Sequence, residues 1–232
     1  MTYEDKSAMI RILHVHKRYG SKNALRDVTL DIFDKEFLFI SGPSGAGKTT
    51  LLKLLYLGEK VTAGNIIVDG QNLSRIPRRE LPFLRRKFGI IFQDFKLIPG
   101  KSVYENIALV AEAVGTRRKL IRKKVGSLLR NVGMEDRADS LPRSLSGGEQ
   151  QRVAVARAIA GNPKIIVADE PTGSLDPESA DVIMDLLRQY RNLGATIIIA
   201  THDTQRIRST GGRVIILREG RVESACVIPK ME

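Results

Sequence analysis

The sequence has few of the features that stabilise secreted proteins or anchor proteins in membranes. Its 232 residues include no tryptophan and one cysteine, Cys226, which cannot form an internal disulfide and therefore favours a reducing compartment. Residues 1–7 contain Glu4 and Asp5 and no apolar run, so we expect no secretory signal. The apolar runs at 37–40 and 197–200 are far shorter than the ~20 residues that a membrane-spanning helix requires.

Acidic residues are scarce relative to basic ones. There are 26 Asp and Glu residues against 38 Lys and Arg, which gives a formal net charge of +12. This excess makes anionic partners the first expectation: nucleic acid, anionic lipid or phosphorylated ligands. The hydrophobic content of 42% argues against disorder, and the length fits one large domain or a domain with an inserted lobe.

Hydrophobic periodicity predicts an α/β fold with a parallel sheet covered by helices. Residues 164–168 and 195–200 are β-branched apolar runs, and an amphipathic helical pattern lies between them. The middle of the chain has helical patterns broken by Gly115 and Gly133, which is compatible with an inserted lobe. We therefore expect an N-terminal extension over 1–9, followed by a single domain over 10–232. Its core covers about 10–93 and 145–226, and its helical lobe covers about 94–144.

A glycine-rich segment follows the buried strand predicted at 37–40. Residues 42–49 read Gly-Pro-Ser-Gly-Ala-Gly-Lys-Thr, which fits a phosphate-binding loop between a strand and a helix. Glycines allow successive N–H groups to converge on phosphate oxygens, and the helix N-terminus adds partial positive charge. In this interpretation Lys48 reaches the β- and γ-phosphates and the Thr49 hydroxyl binds Mg²⁺. The alternative is a glycine-rich turn without a ligand.

Two carboxylates, Asp169 and Glu170, follow the apolar run that ends at Ala168. The carboxyl end of a parallel strand is where ligands bind in such sheets. Asp169 is suited to hold Mg²⁺ through water, and Glu170 to polarise the water that attacks a γ-phosphate. Acidic pairs are also common where loops begin, so this prediction depends on the phosphate loop elsewhere in the chain.

A third motif, Leu145-Ser146-Gly147-Gly148-Glu149-Gln150, lies between the other two. Ser146 and the two glycines begin a helix and form another anion site, whereas an ordinary serine cap would explain Ser146 but not both glycines. With these motifs in this order, the chain resembles the ATP-binding cassette (ABC) ATPases from about residue 10 to 222. The resemblance implies a P-loop NTPase core with an antiparallel β subdomain and an inserted helical subdomain. It also implies MgATP hydrolysis by a head-to-tail homodimer, in which the phosphate loop of one subunit faces the Ser146 motif of the other.

The resemblance assigns roles to further residues. Tyr19 matches an aromatic residue that stacks on adenine, although a lone tyrosine after a strand also serves packing. Gln93, after a strand predicted at 89–92, matches the glutamine that reports the γ-phosphate to a membrane partner. Ser174-Leu175-Asp176 matches a loop that contacts the opposite subunit. The implied catalytic residues are Glu170, His202 and Lys48; the ATP-binding residues are Tyr19, Gly42, Pro43, Ser44, Gly45, Ala46, Gly47, Lys48, Thr49, Thr50, Gln93, Ser146, Gly147 and Gly148; and the Mg²⁺ ligands are Thr49, Gln93 and Asp169.

Within the family, the segments 79–86, 92–94 and 103–106 resemble the FtsE subfamily of bacterial cell-division cassettes, which work with the membrane protein FtsX. Lys35 stands where cassettes usually have glycine, and Thr50 and Ser174 also depart from the usual residues. This resemblance implies a peripheral position on the cytoplasmic face of the cell membrane, with an FtsX-like transmembrane partner that relays the ATP cycle to cell-wall hydrolysis. The alternatives are the ATPase subunit of a transporter for lipoproteins or small molecules, and a soluble ATP-dependent module that acts on nucleic acid.

Basic residues concentrate in two clusters, over 75–87 and 117–124. For a single residue, a solvated helix face explains the charge. Both clusters flank the Gln93 region, which in the family lies near the membrane, and anionic lipid attracts each nearby cation by about 1 kcal/mol. We therefore expect peripheral membrane contact. The sequence has no basic stretch interleaved with aromatics, no zinc spacing and no recognition-helix signature, so we expect no specific nucleic-acid partner.

Overall fold

The computed structural model describes residues 7–173 and 175–229, which divide into two compact units. The first unit contains the chain up to Arg85 and from Gly194 onward, and the second contains Arg86–Leu193. Of the expected N-terminal extension over 1–9, residues 1–6 lie outside the described part. The first strand begins at Ala8.

Strands and helices alternate over 165–218, where the periodicity predicts a strand, a helix and a strand. The strands are β1 (Ala8–Tyr19), β2 (Lys22–Phe33), β3 (Phe37–Ser41), β4 (Ala63–Val68), β5 (Gln71–Asn72), β6 (Phe88–Ile91), β7 (Ile165–Asp169), β8 (Thr196–Ala200), β9 (Gly212–Arg218) and β10 (Arg221–Ile228). The helices are α1 (Lys48–Leu55), α2 (Leu81–Arg86), α3 (Val103–Ala113), α4 (Arg118–Asn131), α5 (Gly147–Ile159), α6 (Pro177–Asn192) and α7 (Thr204–Thr210).

An antiparallel sheet with strand order β2-β1-β4-β5 forms one layer of the first unit. Its strands alternate between buried and exposed residues, so that Ile10, Ile12 and Val15 of β1 face the core. Asp69 and Gly70, with φ of 48° and 76°, connect β4 to β5. Positive φ at both central residues is typical of a tight hairpin turn, and Asp-Gly is a residue pair that favours it.

The first unit also contains four strands in the order β10-β9-β3-β8. Strand β3 pairs in parallel with both β8 and β9, and the register places Ile40 beside Ala200. Residues 37–40 of β3 and all of β8 are buried, as the continuous apolar runs predict for a covered parallel sheet. The carboxyl ends of β3 and β8 therefore lie side by side, and the segments that follow them leave the same edge.

The second unit contains the parallel pair β6 and β7, in which Ile91 lies beside Ala168. Its helices bury apolar stripes, including Ile121 and Val125 of α4. The expected lobe over 94–144 contains α3, α4 and two short 3-10 turns. Among the described residues, no helix is both long and apolar enough to cross a membrane.

Candidate ATP-binding and hydrolysis site

The phosphate loop connects the end of β3 to the start of α1. Its glycines Gly42, Gly45 and Gly47 have φ of 140°, 77° and 106°, values that L side chains rarely adopt. A Cβ atom on Gly42 would lie 2.1 Å from the carbonyl oxygen of Leu217, and one on Gly47 would lie 2.6 Å from that of Ala24. Glycine is therefore required at these two positions both for backbone conformation and for space.

Lys48 folds back over the same loop. Its ammonium donates hydrogen bonds to the carbonyl oxygens of Gly42, at 2.7 Å, and Pro43, at 3.1 Å. Helix α1 begins at Lys48 without an acidic residue in its first turn, so the positive end of the helix dipole and the ammonium act together. This combination of glycine backbone, helix N-terminus and lysine is suited to bind a polyphosphate.

Two other predicted residues belong to the same unit. Tyr19 ends β1 in the hairpin whose second strand packs against Gly47, and the residue remains 41% exposed. The Lys17 ammonium lies 4.6 Å from the centre of the Tyr19 ring. His202 is exposed two residues after β8, and the Thr201 N–H donates to the Ile40 carbonyl at 3.1 Å. The His202 segment and the phosphate loop therefore leave adjacent strand ends.

In the second unit, the ends of β6 and β7 place Gln93 and the two carboxylates on neighbouring strands. Strand β6 ends at Ile91, one residue earlier than predicted, and Gln93 lies in the exposed turn that follows. Asp169 is the last residue of β7 and Glu170 the first beyond it. Glu170 has φ of 47°, an uncommon conformation for a residue with a side chain. The chain therefore turns sharply at the predicted catalytic carboxylate.

Ser146 is the N-cap of α5. Its Oγ accepts the Glu149 N–H at 3.2 Å, and the Glu149 carboxylate accepts the Ser146 N–H at 2.8 Å, which completes a capping box. The hydrogen bond from the Ser146 backbone lowers the pKa of Glu149, and Arg137 at 3.6 Å assists. Capping occupies a lone pair of the Ser146 oxygen, so its proton remains available to donate to a phosphate. A Cβ on Gly148 would lie 3.3 Å from Leu175, in the predicted interface loop.

Two side chains of α5 that the sequence motifs do not single out support the loops of this unit. Gln151 donates from Nε2 to the Pro171 carbonyl at 2.8 Å, just beyond Glu170. Arg157 donates to the carbonyl oxygens of Lys96, at 2.6 Å, and Phe95, at 2.7 Å, in the loop after Gln93. Burial lowers the pKa of Arg157. Gln151 is 1% exposed and Arg157 is half-buried in the structure. No motif or periodicity of the sequence identifies either residue, because charged and polar neighbours surround Gln151 along the chain.

The predicted Mg²⁺ ligands are divided between the units: Thr49 belongs to the first, and Gln93 and Asp169 to the second. Within residues 7–173 and 175–229, no group of three or more His, Cys, Asp or Glu side chains is arranged to hold a metal. A hydroxyl, an amide and a carboxylate are donor types that Mg²⁺ accepts when it is bound together with nucleotide phosphates, because Mg²⁺ commonly takes only one or two protein carboxylates in such sites. The assignment of these three residues to one Mg²⁺ site stays a prediction. Ser174 lies outside the described residues, whereas Leu175 and Asp176 are described.

Comparison with known proteins decides the family. A model of the ABC transporter family matches residues 25–173, more than half of the chain. The chain belongs to the ABC transporter family. This ABC chain is 45% identical over 216 residues to the cell division ATP-binding protein FtsE of Streptococcus pneumoniae, covering 93% of this chain and 94% of that protein. It is 42% identical over 215 residues to FtsE of Escherichia coli, covering 92% and 97% respectively.

A solved structure shares the ABC fold over nearly the full chain. It is the dimeric post-hydrolysis state of the ATP-binding cassette MJ0796 bound to ADP and Pi, with a TM-score of 0.88 and 36% identity. The match covers 96% of this chain and 100% of that one. The α/β class, with a parallel P-loop core and an antiparallel sheet, is therefore confirmed for this ABC chain.

Proposed function

We propose that this chain is the ATP-hydrolysing subunit of an FtsEX-like complex, which couples an ATP-driven dimer cycle through a transmembrane partner to the control of cell-wall hydrolysis in division. The geometry of the phosphate loop is the observation that supports ATP binding and hydrolysis, because the structure has no room for a side chain at Gly42 or Gly47 and Lys48 lies over the loop. Identity of 42–45% to FtsE cassettes over more than nine tenths of the chain supports the cell-division part. The same identity favours this function over a transporter motor for lipoproteins or small molecules.

Catalysis in this proposal is positioning and electrostatic stabilisation. Lys48 and the N–H groups at the start of α1 bind the β- and γ-phosphates, and the exposed Tyr19 ring stacks on the base. Thr49, Gln93 and Asp169 would hold Mg²⁺, which would supply positive charge to neutralise the phosphates. Glu170 accepts a hydrogen bond from the attacking water and orients it, and His202 donates to the γ-phosphate.

The second half of each ATP site comes from another copy of the chain. Ser146, Gly147 and Gly148 present a hydroxyl and helix N–H groups that are suited to a γ-phosphate. Replacement of Glu170 by Gln keeps the shape of the side chain but removes its charge. We expect Glu170→Gln to bind ATP, to lose turnover and to accumulate as an ATP-bound homodimer in size-exclusion chromatography with light scattering. Rapid steady-state hydrolysis by this variant would remove Glu170 from the role.

The partner is tested by purification from membranes. We expect the full chain, solubilised in mild detergent, to copurify with an FtsX-like membrane protein. Copurification of a transporter permease instead would favour the transporter alternative. Copurification of nucleic acid without a membrane protein would favour a soluble ATP-dependent module that acts on nucleic acid.

Peripheral membrane contact is proposed to use the basic face of α4. Helix α4 buries Ile121 and Val125, has no acidic residue in its first turn, and continues a run of exposed cations that starts at Arg117. None of the cations over 117–124 forms an ion pair with a carboxylate of the described chain. Lys124 is half-buried, and this burial lowers its pKa. The free charge of this face complements an anionic bilayer.

We expect charge reversal of Arg122, Lys123 and Lys124 to weaken sedimentation with vesicles that contain phosphatidylglycerol, without effect on neutral phosphatidylcholine vesicles. The matched control reverses the exposed cations Arg11, Lys53 and Arg208 of the first unit, which changes net charge equally. Equal loss of binding in both triple variants would mean that net charge, rather than the α4 face, determines membrane contact.

A further inference from the structure

Gln151 is a buried polar side chain in the second turn of α5. It is 1% exposed, and the Ser146 motif begins the same helix. Its Nε2 donates to the carbonyl oxygen of Pro171 at 2.8 Å. Pro171 directly follows Glu170, so a side chain of α5 holds the peptide immediately after the proposed catalytic carboxylate.

The backbone at Glu170 needs such support. Its φ of 47° lies in the left-handed region, which disfavours residues with a Cβ and persists only where the surrounding structure enforces it. Within the loop, the Gly173 N–H donates to the Glu170 carbonyl at 3.2 Å. The bond from Gln151 reaches this turn from α5 and restrains it from outside the loop.

Within the described chain, the side-chain amide of Gln151 makes a hydrogen bond through its nitrogen but not through its oxygen. Its Oε1 is buried and has no hydrogen-bond partner among the described residues. A buried acceptor without a partner destabilises the folded state, and an apolar side chain of similar length would not carry that penalty. Packing of α5 therefore does not by itself explain a glutamine at this position, whereas the donor that reaches Pro171 does.

We propose that Gln151 is a positioning residue for ATP hydrolysis: by holding the Pro171 carbonyl, it fixes the turn at Glu170 and aims the Glu170 carboxylate. Ser146 begins the same helix. In the proposed dimer, α5 therefore connects two ATP sites: its Ser146 motif contacts the ATP on the phosphate loop of the other subunit, and its Gln151 supports the turn that orients water at the ATP of its own subunit. This inference rests on the proposed roles of Glu170 and Ser146.

The first test replaces Gln151 by Met, which keeps the length and removes the donor. We expect kcat for ATP hydrolysis by the full chain to fall about 10- to 100-fold, since small misplacements of catalytic groups have effects of this size. KM and the affinity for ATP should stay within about twofold. Tm should change little, because the substitution removes one unpaired buried acceptor, Oε1, and leaves another, the Pro171 carbonyl. A kcat within twofold of wild type, or a parallel loss of Tm and ATP affinity, would overturn the proposal.

Gln151→Glu supplies an independent readout. The introduced carboxyl can donate to the Pro171 carbonyl only when it is protonated, and burial favours that neutral form. We expect the ratio of the variant's kcat to that of wild type to rise as pH falls from 8 to 6, and a constant ratio would contradict the proposal. Glu170→Gln is measured in parallel. If that variant is inactive while both Gln151 variants match wild type, only this inference fails; if it retains turnover, the proposed role of Glu170 fails first.

Discussion

Two helices of the second unit begin with the same capping box, which allows the two roles of Ser146 to be separated. At α3, Ser102 Oγ accepts the Glu105 N–H at 3.2 Å and the Glu105 carboxylate accepts the Ser102 N–H at 2.7 Å. At α5, Ser146 and Glu149 form the equivalent bonds at 3.2 and 2.8 Å. The caps match within 0.1 Å, but only Ser146 is proposed to contact ATP.

Stability should therefore respond equally to the two alanine variants. Loss of a serine cap costs about 1 kcal/mol, within a range of about 0.5 to 2 kcal/mol. For a protein of this size, that corresponds to a decrease in Tm of about 2–4 °C per kcal/mol. We expect Ser102→Ala and Ser146→Ala to show similar decreases in differential scanning calorimetry, because each removes one acceptor for a helix N–H.

Activity should separate the two variants. The Ser146 hydroxyl retains its proton for a phosphate oxygen, and a hydrogen bond to a charged group contributes about 1.5–3 kcal/mol. Its loss predicts a fall in kcat/KM for ATP of about 10- to 150-fold in Ser146→Ala, measured by steady-state phosphate release. Ser102→Ala should remain within about twofold of wild type.

Ser146→Asp completes the design, because aspartate caps helices as well as serine does but places negative charge at the phosphate position. This variant should keep a Tm close to that of wild type and lose ATP hydrolysis. The reasoning is refuted if Ser146→Ala and Ser102→Ala lose activity equally, since the deficit would then come from the weakened caps. Activity in Ser146→Asp would refute it as well.

Three further predictions concern the loops and caps. Gly42→Ala should lower the urea midpoint more than Gly45→Ala, because both glycines have positive φ but only Gly42 would bring its Cβ within 2.1 Å of a carbonyl oxygen. Arg157→Lys keeps the charge but lacks the guanidinium that donates hydrogen bonds to two carbonyl oxygens of the loop after β6, so it should lower Tm and kcat together. Unchanged values of Tm and kcat would show that these two hydrogen bonds are dispensable. Backbone hydrogen bonds lower the pKa values of Glu149 and Asp176, so their stabilisation is complete above their ordinary pKa values and is lost as pH falls through the lowered ones; Tm should fall less steeply below about pH 4 in Asp176→Asn than in wild type.

The parts of the fold that the sequence predicts well are those in which one short-range rule decides the structure. Residues 37–40 and 196–200 form buried parallel strands because continuous apolar runs require cover on both faces. The turn at Asp69-Gly70 follows from the preference of these residues for positive φ. The phosphate loop is predictable for the same reason, since its glycines adopt the positive φ that the loop requires and recur at the spacing of the motif.

Contacts between distant segments are less accessible from sequence. Gln151 reaches Pro171 across 20 residues and Arg157 reaches Lys96 across 61, and no periodicity specifies either pair. In a sequence, two polar residues of a helix indicate a solvent-facing side. Here the tertiary packing buries Gln151 and directs both side chains to loop carbonyls, because buried loops must satisfy backbone groups that sheets and helices leave unpaired. The motifs thus identify the groups that meet ATP, whereas the side chains that hold their backbones in place follow only from the packing of α5.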